Sequence, residues 1–319
     1  MPSSRTTILV PGRLHPRVAE RLGDRFDLLT VANAVDITLS DEQLASVQGA
    51  AVTGSFPATL IEKLPNLKII ANFGVGYDGV DVKAAAVRGV VVSNTPDVLN
   101  DEVADTTIAL LLNTVRQFHQ AETYLREGRW VKDGPFALSP LSLRGRHVGF
   151  YGLGRIGMEI AKRLEPFKVK ISYFTRSQRS DVDYGYYPSL KALAQAVDTL
   201  ICIVPKTPET YKTVNAEILA DLGADGVLIN VGRGWTVDEE ALIAALGEGV
   251  IAGAGLDVFQ DEPQVPAGLL DFPNVSLLPH VASASVPTRN AMADLVADDL
   301  ISWFDTGKAV TPVPETPQK

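Results

Sequence analysis

The side chains best suited to acid–base chemistry in this 319-residue chain follow three short apolar runs. Arg233 comes after the run in INVGRG, Glu262 after that in LDVFQDEP, and His280 ends VSLLPH. The carboxyl ends of parallel strands meet at one edge of an α/β sheet, so these side chains are expected to converge there. A lone histidine at a strand end is as often structural as catalytic, and it is the neighbouring carboxylate and guanidinium that favour a catalytic role.

Together these three groups suit the reduction of a 2-keto acid. A nicotinamide gives hydride to C2, His280 as imidazolium donates a proton to the carbonyl oxygen, and Arg233 holds the carboxylate and polarises the carbonyl. Glu262 is expected to orient His280 and to keep its acid form populated near neutral pH. In the oxidative direction the same histidine is the base.

A glycine-rich turn indicates where such a cofactor binds. GLGRIG, residues 152–157, follows the strand-like RHVGFY and opens a helical stretch, and its backbone N–H groups can meet a pyrophosphate at the helix N-terminus. The cofactor is therefore assigned to the whole turn, which comprises Gly152, Leu153, Gly154, Arg155, Ile156 and Gly157. The alternative is a tight strand-to-helix turn without a ligand.

The next strand of this unit does not end in the acid that usually binds the adenosine ribose. Thr175 stands where that acid is expected, and no acid occurs between Glu165 and Asp181. Hydroxyl and guanidinium donors suited to a 2′-phosphate take its place, from Thr175, Arg176, Ser177 and Arg179. We therefore predict NADPH as the preferred cofactor and NADH as a weaker one, against the alternative of a solvated basic loop.

A second glycine-rich turn lies in the first third of the chain. NFGVGYDGVD, residues 72–81, follows the strand-like LKIIA, and the backbone N–H groups of Val75 and Gly76 could form an anion nest for the substrate carboxylate. Alone, the motif is an ordinary glycine turn. Ser55 and Trp130 are further substrate candidates, because the loops around them are expected to set the size of the pocket.

Composition excludes several classes of partner. The hydrophobic fraction of 46% is typical of a globular protein, and the formal net charge of −9 argues against nucleic acid or an anionic membrane as partner. Without a signal-peptide h-region or a membrane-spanning stretch, a cytoplasmic location is expected. The single cysteine, Cys202, lies in the apolar run LICIV and is expected to be buried and inert. No metal site is predicted.

Strand-like runs alternate with helical patterns in two series, which is typical of parallel sheets built from βαβ units. The predicted fold class is α/β, with two doubly wound parallel-sheet domains. A Rossmann cofactor domain at 99–285 is inserted in a discontinuous flavodoxin-like substrate domain at 1–98 and 286–319, and the cleft between them is the default site. The stretch from Asn100 to Gly128 is predicted as one amphipathic helix that bridges the domains.

The chain resembles the D-isomer-specific 2-hydroxyacid dehydrogenase family through motifs in matching order and spacing: NFGVGYDGVD, NTPDVLNDEVADTTIALLL, GLGRIG, INVGRG, GAGLDVFQDEP and LPHVASAS. The resemblance implies that Arg233, Glu262 and His280 are catalytic and that Val75 and Gly76 bind the carboxylate. It also implies a homodimer formed through the cofactor domains. For the cofactor it implies Asp257 near the nicotinamide amide and a further set of contacts, from Val204, Pro205, Thr210, Val231 and Ser283.

Within that family, GVGYD and YFTRS look most like the NADPH-preferring glyoxylate/hydroxypyruvate and hydroxyphenylpyruvate reductases. Trp130 in EGRW matches a tryptophan that reaches the partner subunit's active site in related reductases, with helix-end packing as the alternative. Two departures concern the substrate pocket. Lys206 stands where relatives usually have leucine, and HVASASVPTR replaces the commoner HIGSAT.

Three functions remain open, in order of preference. The first is NADPH-dependent reduction of small 2-keto acids such as glyoxylate and hydroxypyruvate to D-2-hydroxy acids. The second is the corresponding reduction of 2-ketogluconate or hydroxyphenylpyruvate, which substrate breadth would distinguish. The third is a nucleotide-sensing scaffold, because transcriptional corepressors that resemble this family keep the same three residues; the short tail of this chain argues against it.

Overall fold

The computed structural model describes residues 5–318. Within that range the chain forms two compact units, one made of residues up to Leu99 and from Ser285 onward, the other of Asn100–Ala284. These bounds lie one residue from those expected from the sequence. Asn100 already begins a helix of the second unit, and Ser285 caps the last helix of the first by accepting the backbone N–H of Thr288.

The first unit is built on a five-stranded sheet in which all neighbouring strands are parallel. The strands are β1 (Thr6–Pro11), β2 (Phe26–Val31), β3 (Val47–Val52), β4 (Ile69–Asn72) and β5 (Val91–Ser93). Their order, β2-β1-β3-β4-β5, is that of flavodoxin-like folds. The helices are α1 (Pro16–Leu22), α2 (Asp41–Ser46), α3 (Ala58–Lys63), α4 (Val82–Val87) and the C-terminal helix Val286–Thr306.

Alternate residues of β1 show how helices cover both faces of this sheet. Ile8 and Val10 pack in a core that includes Val296 of the C-terminal helix, whereas Leu9 packs in a second core that includes Leu60 of α3. Successive side chains of a strand point to opposite faces. A strand covered on both faces buries successive side chains, which is why the centre of β1, Ile8–Val10, is an uninterrupted apolar run.

The second unit has a seven-stranded sheet, again with all neighbouring strands parallel. Its strands are β6 (His147–Tyr151), β7 (Lys170–Phe174), β8 (Gly185–Tyr186), β9 (Thr199–Cys202), β10 (Val227–Asn230), β11 (Gly253–Leu256) and β12 (Val275–Leu277). The order β12-β11-β10-β9-β6-β7-β8 is the Rossmann order with one strand added. The short edge strand β8 was not predicted.

Helices cover both faces of this sheet as well. They are α5 (Asn100–Arg116), α6 (Phe118–Arg126), α7 (Arg129–Asp133), α8 (Arg155–Leu164), α9 (Leu190–Ala194), α10 (Ala216–Leu222), α11 (Glu239–Gly247) and α12 (Ala267–Leu270), so the C-terminal helix is α13. Ile201 of β9 packs in a core with Leu110 of α5 and Ile160 of α8. Its neighbour Leu200 packs in the opposite core with Leu193 of α9. The predicted class, two doubly wound parallel sheets, is confirmed.

Cys202 is fully buried, as predicted, and burial raises the pKa of its thiol. Of the helices in residues 5–318, none is long and apolar enough to cross a membrane.

The prediction of one helix over residues 100–128 is wrong. The helix is interrupted at Gln117, whose φ of 54° is left-handed, so that α5 ends before this residue and α6 begins after it. Asn113 Oδ1 accepts the backbone N–H of His119 at 3.0 Å, and Ser139 Oγ donates to the last carbonyl of α5 at 2.8 Å. These side chains satisfy backbone groups that the break exposes. The helical periodicity continues on both sides, so the pattern does not reveal the break.

Replacing Gln117 by glycine is expected to raise the free energy of unfolding by about 0.5–1 kcal/mol, because glycine adopts a left-handed backbone without a Cβ penalty. The same replacement at the neighbouring exposed residue Arg116, which is helical, should lower it by about 1 kcal/mol. Urea unfolding of both variants measures the two changes. If Gln117→Gly lost as much stability as Arg116→Gly, the left-handed conformation of Gln117 would be contradicted.

Candidate active site

A dyad of His280 and Glu262 lies beyond the carboxyl ends of β12 and β11. His280 Nδ1 lies 2.6 Å from Glu262 Oε2, and Glu262 Oε1 accepts the backbone N–H of Phe259 at 3.0 Å. The expectation that His280 ends its strand is wrong, because β12 ends at Leu277 and His280 stands in the following loop with a φ of 54°. The histidine is therefore positioned by a loop and not by a strand.

A buried carboxylate holds that loop. Asp257, which is 1% exposed, directly follows β11, and its two carboxylate oxygens accept the N–H groups of Val281 at 2.7 Å and Ala282 at 3.0 Å. Its carbonyl accepts the N–H of His280 at 2.8 Å. Burial raises the pKa of Asp257, although the two N–H donors and the charge of His280 act in the opposite direction. Three successive residues of the loop are thus bonded to one residue.

The surroundings of Glu262 favour its carboxylate form. Burial opposes the charge, but the hydrogen bonds from His280 and Phe259 and the charges of His280 and Arg233 outweigh burial and lower the pKa of Glu262. The side chain of His280 is 49% exposed, so the dyad is open on the side of the histidine. Because Glu262 engages Nδ1, Nε2 is the ring nitrogen from which a proton can reach a ligand.

A buried amide shapes the turn that carries Arg233. Asn230 is the last residue of β10 and is fully buried. Its Nδ2 donates to the carbonyl of Arg233 at 3.0 Å, and its Oδ1 accepts the N–H of Gly232 at 3.1 Å. The sequence reasoning missed Asn230, although its position as a polar residue at the end of an apolar strand was a usable signal.

A close backbone contact brings this turn to the dyad. A Cβ on Gly234 would lie 1.9 Å from the carbonyl carbon of Phe259, so only glycine lets the two segments pack at this distance. Phe259 also donates its N–H to Glu262, as described above. The structure thus brings together Arg233, Glu262 and His280, which were predicted to converge.

The three glycines of GLGRIG have the three environments that a dinucleotide-binding turn requires. Gly152 has a φ of 96° and turns the chain sharply out of β6. A Cβ on Gly157 would meet the carbonyl oxygen of Gly152 at 3.0 Å, so α8 packs closely on the turn. A Cβ on Gly154 would meet none of the described atoms within 4 Å, so the turn is open at the N-cap of α8. A pyrophosphate would approach at that point, and the residues therefore fit a dinucleotide.

The two arginines of the loop after β7 differ in their contacts. Arg179 donates to the carbonyl of Leu153 at 2.7 Å and pairs with Asp181 at 2.9 and 2.5 Å, so it ties this loop to the glycine turn. Arg176 is exposed. Thr175 Oγ1 donates to the carbonyl of Ser177 at 2.7 Å. The guanidinium of Arg179 is therefore engaged within the protein, and the role of Arg176 toward a 2′-phosphate stays a prediction.

The remaining predicted cofactor residues follow strands of the same sheet, namely Val204, Pro205 and, at the end of a 3₁₀ turn, Thr210 after β9, Val231 after β10, and Ser283 after β12. Val204 borders the glycine turn, since its Cγ1 would lie 2.9 Å from a Cβ on Gly152. Lys206 Nζ lies 4.7 Å from the ring centroid of Trp235, so this departure from the family forms a cation–π contact. Their roles toward the cofactor stay predictions.

The turn at Val75 and Gly76, in the first unit, is held through its carbonyl groups. Asn72 Nδ2 donates to the carbonyls of Gly74 at 3.2 Å and Gly76 at 3.0 Å, and Asn94 Nδ2 donates to that of Val75 at 2.8 Å. In a trans peptide the N–H points away from the C=O. The N–H groups of Val75 and Gly76 therefore point away from these amides, as an anion nest requires. Asn72 and Asn94, at the ends of β4 and β5, were not recognised from the sequence.

Ser55 and Trp130 lie in different units. Ser55 is exposed in the loop after β3 and lines a cavity of about 540 Å³ together with Asp81 and Glu315. Trp130 lies in α7, and its side chain is 62% exposed. Their contacts with substrate stay predictions. Among residues 5–318, no cluster of His, Cys, Asp and Glu is placed to hold a metal ion.

Two glycine substitutions separate cofactor binding from folding. Gly154→Ala is expected to weaken NADP⁺ binding by at least 10-fold with little change in unfolding, because the added methyl enters open space where the pyrophosphate approaches. Gly157→Ala is expected to lower stability, because its methyl meets the carbonyl of Gly152. Fluorescence titration and thermal unfolding measure the two effects. Unchanged NADP⁺ affinity in Gly154→Ala would contradict the assignment of this turn.

Both units of the chain are similar to known proteins. Residues 108–282 match the model of the D-isomer specific 2-hydroxyacid dehydrogenase family's NAD binding domain. The crystal structure of an NADPH-dependent glyoxylate/hydroxypyruvate reductase from Sinorhizobium meliloti, in complex with NADP and malonate, is 61% identical, with a TM-score of 0.96 over 99% of both chains.

Two plant enzymes are also similar. Glyoxylate/hydroxypyruvate reductase A of Arabidopsis thaliana is 45% identical over 92% of this chain and 94% of its own. Hydroxyphenylpyruvate reductase of Plectranthus scutellarioides is 46% identical over 87% of this chain and 88% of its own. The resemblance predicted from the motifs is confirmed: the chain belongs to the D-isomer specific 2-hydroxyacid dehydrogenase family.

Proposed function

We propose that this chain uses NADPH to reduce small 2-keto acids, glyoxylate and hydroxypyruvate among them, to D-2-hydroxy acids. The observation that carries the proposal is the His280–Glu262 dyad beside Arg233, at the edge of a sheet whose glycine turn fits a dinucleotide. The similar enzyme from Sinorhizobium meliloti, which was crystallised with NADP and malonate, supports the choice of cofactor and of a small carboxylate substrate.

Each proposed catalytic side chain has a defined role in the reductive direction. When bound, NADPH would supply the hydride for reduction at C2. His280, as imidazolium, gives the proton on Nε2 to the carbonyl oxygen, while Glu262 holds the ring through Nδ1 and stabilises its charge. Arg233 binds the carboxylate and polarises the carbonyl. The N–H groups of Val75 and Gly76, in the first unit, have the proposed role of binding a carboxylate.

The function is tested by following absorbance at the nicotinamide band with NADPH and NADH in parallel. The substrates are glyoxylate, hydroxypyruvate, hydroxyphenylpyruvate and 2-ketogluconate. Faster consumption of NADPH with the first two acids is expected. A clear preference for either of the others would assign the alternative reductase, and cofactor binding without turnover of any acid would favour the scaffold.

Arg176 is proposed to bind the 2′-phosphate of NADPH. Arg176→Ala should weaken NADPH binding by about 10- to 100-fold, as loss of one charge-assisted hydrogen bond does, and should leave NADH nearly unchanged. Gln178→Ala, at an exposed position of the same loop, is the control and should change neither. Equal weakening of both cofactors in Arg176→Ala would remove the argument for NADPH.

We also propose that the protein is a cytoplasmic homodimer. Support for the dimer comes from exposed apolar side chains in and after α6 and α7, which include Leu125, Trp130, Val131 and Leu138. Clustered exposed apolar groups are typical of protein interfaces. The cytoplasmic location rests on the sequence alone.

A further inference from the structure

We infer that the C-terminal tail, residues 308–318, positions the turn that binds the substrate carboxylate, and that it does so through Thr311 and Glu315. The inference rests on the proposed function, which assigns the carboxylate to the N–H groups of Val75 and Gly76. The tail and the turn belong to the same unit.

Thr311 is one step in a series of hydrogen bonds that ends on the turn. Its Oγ1 lies 2.6 Å from the carbonyl oxygen of Asn94, and its own carbonyl accepts the N–H of Asn94 at 3.3 Å. The side-chain amide of Asn94 in turn donates to the carbonyl of Val75. That carbonyl and the N–H of Gly76 belong to one planar peptide group, so the position of Asn94 sets the direction of the Gly76 N–H.

A buried carboxylate fixes Thr311. Asp299 of α13 is 1% exposed, and its Oδ1 accepts the N–H groups of Val310 at 2.8 Å and Thr311 at 2.9 Å. Its Oδ2 lies 2.7 Å from Thr311 Oγ1, which shares its one proton between this oxygen and the carbonyl of Asn94. The tail is therefore bonded to a long helix packed on the sheet, and not only to the turn.

A second contact between the tail and the turn joins Glu315 to Tyr77. The hydroxyl of Tyr77, the residue after Gly76, lies 3.1 Å from both carboxylate oxygens of Glu315. Burial and the neighbouring carboxylate raise the pKa of Tyr77 to about 12, so its hydroxyl keeps the proton that it donates. Val75 and Tyr77, on either side of Gly76, are thus both connected to the tail.

The competing explanation is that the tail only covers the edge of the sheet. Pro312 forms a bridge with Ser93 at the edge strand β5, and Thr316 accepts the N–H of Val92 at 3.1 Å. Covering an edge in this way stabilises a fold. It would not make substrate affinity depend on Thr311 more than on Thr316, and this difference separates the two explanations.

The test compares Thr311→Val with Thr316→Val. Each substitution removes one hydroxyl that is hydrogen-bonded to the backbone at or next to β5. Only the hydroxyl of Thr311 is connected, through Asn94, to the turn at Val75 and Gly76. Thr311→Val should raise KM for the keto acid about 10-fold, with kcat and the Kd of NADPH within about two-fold of the unsubstituted protein. Thr316→Val should lower thermal stability and leave KM unchanged. Thr311→Ser, which keeps the hydroxyl, should have the KM of the unsubstituted protein.

Binding of malonate to the NADP⁺-saturated protein, measured by calorimetry, gives a readout that does not need turnover. Its Kd should rise about 10-fold in Thr311→Val and stay unchanged in Thr316→Val. Equal Kd values in Thr311→Val and the unsubstituted protein, equal rises in both variants, or no malonate binding at all would overturn the inference. Failure to reduce any 2-keto acid while malonate binds as expected would count against the proposed function alone.

Discussion

The positions of Arg233 and His280, two of the proposed catalytic residues, depend on one contact between neighbouring strand ends. The N–H of Asp257, after β11, donates to the carbonyl of Asn230, the last residue of β10, at 3.0 Å. From this pair the side chain of Asp257 holds the loop of His280, and the side chain of Asn230 holds the turn of Arg233. A buried carboxylate is unfavourable unless its oxygens are hydrogen-bonded. The N–H groups of Val281 and Ala282, in the loop of His280, supply those bonds. The cost of burying the Asp257 carboxylate is therefore offset only while this loop keeps its conformation.

The first unit uses the same arrangement with amides. Asn72 and Asn94 stand at the ends of neighbouring strands, and their side chains hold the carbonyl groups of the turn that carries Val75 and Gly76. In both units, polar side chains at strand ends fix the backbone by hydrogen bonds, and the groups assigned to the substrate belong to the loops that they hold. Residues that take no part in the proposed chemistry are therefore needed to give these loops a defined geometry.

The sequence predicts most of the fold and the convergence of Arg233, Glu262 and His280, because both follow from local pattern. Apolar runs with chemistry-bearing residues at their ends are enough to place Arg233, Glu262 and His280 at one edge of a parallel sheet. What the pattern cannot show is contact between residues distant in the chain. The clamp of Asp257 on Val281, the pairing of Arg179 with Leu153, and the links from the tail to the turn are all of this kind.

The sequence pattern also misses places where one residue changes its backbone angles, because such a change does not alter the spacing of apolar residues. Gln117 interrupts a helix whose apolar pattern continues, and the loop of His280 leaves its strand earlier than the apolar run suggests. In both places polar side chains or a buried carboxylate satisfy the exposed backbone groups. Such partners become visible only once the chain is folded.

The central claim is that His280 is the proton donor and that Glu262 orients its ring through Nδ1. The most direct test is the kcat for reduction at saturating NADPH in His280→Gln and Glu262→Gln. His280→Gln should lower kcat by about 10²–10⁴-fold with unchanged NADPH affinity. Glu262→Gln should lower kcat to a smaller extent, because the amide still accepts a hydrogen bond from Nδ1 but supplies no negative charge. Nearly unchanged turnover in His280→Gln or in Glu262→Gln would contradict the account.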